Sequence, residues 1–182
     1  MIRTFADKST AALFSDRAVR HIAGTLRNKA RRKLLQLDAV SHVEELTVPP
    51  GNRLEKLRGK RAGQTMTIDR EQLGTMDFDD LADTGEDGMD APVSPGEILR
   101  EEFMRPLELS AAALARALHV PANRVTGLLN EQRGITADTA LRLARYFGTT
   151  PEFWMRLQAE YELRRARRDA ARINREVSPR VA

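Results

Sequence analysis

Residues 110–130 read SAAALARALHVPANRVTGLLN, and their spacing decides the fold. Leu114, Leu118, Val125, Leu128 and Leu129 recur at helical intervals on two inward faces. Ala115 puts a small side chain where two helices would cross closely. Ser110 suits an N-cap, its oxygen accepting a backbone N–H that would otherwise lack a partner. Pro121 is expected at the first position of the second helix, where its missing N–H costs little. The stretch reads as helix, tight break, helix.

With Val125 at the inward pole, steps of about 100° per residue put Asn123, Gly127 and Asn130 opposite it, with Arg124 and Thr126 on the flanks. These side chains have the chemistry of base edges. An amide pairs bidentately with adenine, arginine with guanine, and threonine reaches a hydrogen-bonding group or the thymine methyl. Such a helix-turn-helix would read the major groove. Short amphipathic helices are common, however, so the same spacing also fits a plain packed pair with a wet outer face.

The flanks favour the first reading. SPGEILREEFMRPL (residues 94–107) sets Ile98, Leu99 and Phe103 on one side of a helix that Pro106 breaks. After NEQRGIT comes a helix over 137–147, capped by Thr136 and stopped by Gly148. Thr150 caps a last helix that opens at Pro151 and turns Phe153, Trp154, Leu157 and Tyr161 inward. The fold class expected is mainly α: five helices in a single compact domain of about 70–90 residues, a size that folds alone.

PGEILREEFMRPLELSAAALARALHVPANRVTGLLNEQRGITADTALRLARYFGTTPEFWMRLQAEYEL (residues 95–163) resembles the HigA family of antitoxins, which implies a five-helix lambda-repressor-like helix-turn-helix fold. PGEIL, the RGIT corner and the PEFW helix start carry the likeness. It implies a dimeric repressor that binds a palindromic operator of double-stranded DNA in its own promoter and neutralises a HigB-type mRNA-cleaving toxin. Ser110 and Arg133 would then hold phosphates, while Asn123, Arg124, Thr126 and Asn130 read base edges. Two residues depart from the family pattern. His119 stands at a turn position usually held by glycine, and Gly127 replaces a longer polar or basic side chain, removing one contact.

The first 64 residues differ in character, with fourteen Lys/Arg against six Asp/Glu, a net +8. MIRTFADKSTAALF, the corner VPPGNRLEKLRG and the trailing RAGQ resemble the beginning of a HigB toxin of the RelE-like group. The strands and the acidic, aromatic and histidine tail that complete such toxins are missing, and TMTIDREQLGTM after Gln64 has no strand alternation. Arg58 and Arg61 match basic positions of the toxin's RNA cleft but lack accompanying acid–base residues, and Glu55 stands where relatives carry histidine. The segment is expected to be a truncated α+β remnant that folds poorly alone, with no ribonuclease activity. His21 and His42 are isolated, so surface positions are expected.

Residues 65–93 form an acidic spacer with nine Asp/Glu, one Arg and a net charge of −8, composition that stays solvated and mobile. Folding back over the basic segment, or mimicry of nucleic acid, is the competing reading. Met66, Met76 and Met89 are each a plausible former start of a separate antitoxin. The domain from 94 to 182 adds +4 and ends in an arginine cluster (Arg164, Arg165, Arg167, Arg168), read as a solvated helical tail continuing to Pro179, with phosphate contact or a dimer or toxin interface as alternatives. Zero cysteines exclude disulfides and fit a reducing cytoplasm. No apolar run is long enough for a membrane span, no signal peptide is evident, and neither metal, cofactor nor catalytic residues are expected.

Overall fold

A computed structural model describes residues 2–20, 22–50, 52, 68–69 and 91–180. In the N-terminal part, β1 (Thr4–Phe5) leads into α1 (Lys8–Phe14), whose cap is Asp7; its carboxylate accepts the Thr10 N–H at 2.8 Å. The basic run forms α2 (Gly24–Ala39), followed by a 3-10 turn (Val43–Thr47). β2 (Ile68–Asp69) pairs antiparallel with β1, Phe5 opposite Ile68. This corrects the expectation of no strand after Gln64. Two residues are too few for an alternating pattern to register. Arg58, Arg61, Glu55, His21 and the bulk of the acidic spacer lie outside the described residues. His42 is exposed, as expected.

The C-terminal part opens with α3 (Pro95–Ile98), capped by Ser94, whose Oγ accepts the Glu97 N–H at 3.0 Å. The helix then widens into a π segment (Leu99–Met104), where Arg105 N–H donates to Arg100 O at 2.9 Å. Pro106 explains the widening, because its ring would clash with the carbonyl four residues back in α geometry. α4 (Ala111–Ala117), α5 (Ala122–Leu129), α6 (Ala137–Phe147) and α7 (Pro151–Arg167) follow, with Ser110, Thr136 and Thr150 as side-chain caps and Gly148 in the left-handed region at φ 75°. A short α8 (Ala170–Glu176) ends the described chain. The tail expected to run on from Tyr161 breaks at Arg168–Asp169.

One core joins these helices. Ile98, Leu99, Phe103, Leu114, Leu143 and Trp154 are fully buried. The Phe103 ring lies 4.9 Å from Trp154 and 5.0 Å from Phe147. Tilted pairs of this kind contribute about 0.5–1.5 kcal/mol each beyond the area they bury. Gly96 is demanded by packing: a Cβ there would sit 2.2 Å from Leu128 O, so α3 crosses α5 with backbone against side-chain-free backbone.

The basic N-terminal part does not stand apart. α2 packs on α7, and its cations reach acidic groups of the C-terminal part. Arg31, 2% exposed, pairs with Asp16 and donates to Ala91 O at 2.7 Å. Arg32 bridges Glu97 at 2.9 Å and Glu102 at 3.0 Å, while Lys33 pairs with Glu102 as well. Arg164 bonds Asp16 at 3.0 Å, donates to Phe14 O and covers the Phe14 ring at 4.7 Å. The solvated-tail reading is therefore wrong for Arg164, whose side chain is 9% exposed. It fails because sequence neighbours gave no hint that α1 would lie beside α7. The apolar side of the toxin-like segment is covered by its own chain, and Val93 at the end of the expected spacer is buried with it.

Candidate nucleic-acid interface

The turn between α4 and α5 is set by three residues. Leu118 closes α4, His119 adopts φ 53°, and Val120 N–H returns to Ala115 O at 3.0 Å. Histidine thus does occupy a left-handed turn position, at an energetic cost that glycine would avoid. Pro121 serves as the N-cap of α5, with ψ 142°, one place earlier than expected. An extended ψ suits the residue outside the helix just as its fixed φ would suit the one inside.

α5 buries Val125 and Leu128 and leaves Asn123, Thr126 and Asn130 exposed, with Leu129 partly covered. Thr126 Oγ1 donates to Ala122 O at 3.2 Å, which orients its methyl and oxygen on the helix surface. Ser110 is exposed at the start of α4, its Oγ accepting the Ala113 N–H at 3.1 Å. Gly127 differs from expectation. It is buried, because the chain after α5 turns back and lays the Arg133 stem over it; a Cβ would lie 3.2 Å from Arg133 Cδ. A helical wheel places a residue on one helix only, and here a later segment covers that face. Gly127 is thus the seat of Arg133, whose side chain stays exposed.

Arg124 is the other departure. Its guanidinium donates to Asp138 Oδ2 at 2.6 Å, side chains 37% and 54% exposed. Asp138, in the first turn of α6, also accepts from Arg142 Nε at 3.1 Å, and Arg142 Nη1 donates to Leu118 O at 2.9 Å. Hydrogen bonds from Arg142, then Arg124, hold the Asp138 carboxyl below the usual carboxylate range despite an opposing desolvation. Asp138 therefore links α5 to α6, and Arg142 links α6 to the end of α4. Sequence reading missed Asp138 and Arg142, although an acidic residue beside a threonine cap and an Asp/Arg pair four apart were visible signals.

Known proteins line up with both parts of this chain. Residues 3–69 match the family described as RelE-like toxin of type II toxin-antitoxin system HigB, and residues 99–154 match the helix-turn-helix family. Virulence-associated protein I of Dichelobacter nodosus is 55% identical over 82 residues, 45% of this chain and 76% of that protein. Antitoxin HigA-1 of Vibrio cholerae is 43% identical over 72 residues, 40% of this chain and 68% of that protein.

The chain belongs to the HigA antitoxin family.

The solved structure of Pseudomonas aeruginosa antitoxin HigA with higBA promoter is 50% identical, and the match covers 50% of this chain and 99% of that one, with a TM-score of 0.47. HigA likeness and HigB-like segment occur here in one polypeptide, in contact through the arginine and glutamate pairs of α2 and the first C-terminal helix. Among the described residues no helix is long and apolar enough to cross a membrane.

Proposed function

We propose that this chain is a DNA-binding antitoxin that represses its own toxin–antitoxin operon. The observation that carries it is α5 itself: Val125 and Leu128 are buried, and the opposite side offers Asn123, Thr126 and Asn130 to solvent beside the exposed Arg133. Two copies would set their α5 helices in successive major grooves, about 34–36 Å apart, on a palindrome. Ser110 and Arg133 would hold phosphates; Asn123, Thr126 and Asn130 would read base edges, joined by Arg124 once it leaves Asp138. A cytoplasmic location follows from such a DNA partner. A gel shift on the gene's upstream DNA against a random duplex, at two salt concentrations, tests this reading. Preference for the upstream DNA at both supports it; equal binding rejects it.

The HigB-like segment favours a second reading, a module that binds a HigB-type toxin without binding an operator. Its support is the docking of α2 against Glu97 and Glu102, a contact between a segment of HigB-like sequence and the helical domain. The same gel shift separates the two. The segment itself is proposed to be a structural remnant with no ribonuclease activity; translation-dependent mRNA cleavage on expressing the full chain would contradict that.

A further inference from the structure

The Arg124–Asp138–Arg142 bridge lies where a DNA-reading cation is wanted. Arg142 is held at both ends, by Asp138 and by Leu118 O. Arg124 bonds Asp138 at 2.6 Å through a guanidinium that is still 37% exposed. Arg124, Asp138 and Arg142 line a solvent-open cleft of about 730 Å³, together with Arg133 and Thr136. Losing the carboxylate would release Arg124 rather than Arg142, since the Leu118 carbonyl keeps its hold on the latter.

We propose that Asp138 is a positioning residue for DNA recognition: it withholds Arg124 from any duplex that does not compensate the broken pair, and so sets the ratio of operator to random binding. The proposal rests on the repressor reading above. On random DNA, Arg124 stays paired and contributes no counterion release. On an operator, contacts from Asn123 and its neighbours bring the duplex close enough for Arg124 to exchange Asp138 for DNA. A surface ion pair is weak enough for such an exchange.

The test uses the full chain in four forms: wild type, Asp138→Asn, Arg124→Ala and the double variant. Each is titrated with the gene's upstream duplex and with a random duplex over a range of salt. Asp138→Asn is expected to bind random DNA more tightly, its log–log salt slope steeper by about 0.9, the value for one added phosphate contact. Its preference for the upstream duplex should fall. Arg124→Ala should weaken binding to the upstream duplex more than to the random one, and should abolish the gain when added to Asp138→Asn. Asp138→Ser, which keeps a side chain suited to a helix start, must reproduce Asp138→Asn if folding is intact by thermal melting. Additive effects of the two substitutions, or an unaltered slope in both Asp138 variants, overturn the proposal while a wild-type preference for upstream DNA stands. Loss of that preference in the wild type instead overturns the repressor reading beneath it.

Discussion

Arg32 Nε donates to Glu102 Oε1 at 3.0 Å across seventy residues of sequence, joining the basic helix of the toxin-like segment to the first helix of the antitoxin domain. Lys33 binds the other oxygen of the same carboxylate, which is 7% exposed. Burial raises the affinity of Glu102 for a proton, but the hydrogen bonds from Lys33 and Arg32 outweigh it and hold the carboxyl below its usual range.

Glu102→Ala should therefore destabilise the whole chain by about 3 kcal/mol, the lower end for breaking a buried pair, because the abandoned cations keep partial access to water. Since the folded value lies below the unfolded one, the contribution is present above the ordinary glutamate range and is lost as pH falls through the folded value. Denaturant melts should show a difference between wild type and Glu102→Ala that is constant near neutrality and shrinks in acid. A difference that grows in acid would refute the assignment.

Gly96→Ala tests the crossing of α3 and α5. The added methyl would meet Leu128 O at 2.2 Å, and backbone cannot swing aside as a side chain can. Overpacking of this kind costs about 1–3 kcal/mol. Thermal unfolding should show the loss, and operator affinity should fall with it, since the obstructed carbonyl belongs to α5.

His119→Gly is expected to stabilise the chain. His119 sits at φ 53°, where a Cβ costs about 1–2 kcal/mol. Glycine's larger entropy loss on folding cancels part of that gain, so a net increase of about 0.5–1 kcal/mol is expected. Urea melts resolve a change of this size. A decrease would mean that the imidazole makes a compensating contact.

Asn123→Ala and Arg133→Ala should behave differently on DNA. The first should cost about 1–3 kcal/mol on the operator and relax preference at one base pair. The second should weaken binding on every sequence and reduce the salt slope by about 1. Competition titrations against single-base operator variants distinguish the two; identical behaviour of both variants and wild type would show that neither side chain touches DNA.

Local features of the helical half were legible in the chain. Ser110, Thr136 and Thr150 cap helices because a hydroxyl three residues ahead of a free N–H is a short-range arrangement that the order of residues specifies. Val125 and Leu128 face inward because their spacing on one helix leaves them no other side. The likeness to HigA and HigB could be read in the same way, from contiguous motifs. Gly127 and Arg164 were misread for a common reason: each is covered by a segment distant in sequence or arriving after a turn, which periodicity cannot describe.

By itself, then, the order of amino acids settled the caps at Ser110, Thr136 and Thr150, the stop at Gly148, the inward face of Val125 and Leu128, and which family the helical half resembles. Folding alone decided that Asp138 takes hold of Arg124, that Arg133 lies over Gly127, and that Arg32 and Lys33 find Glu102. The physical reason is range. Caps and helical periodicity act within a few residues, whereas ion pairs and close packing depend on which surfaces the collapsed chain brings within a few ångströms.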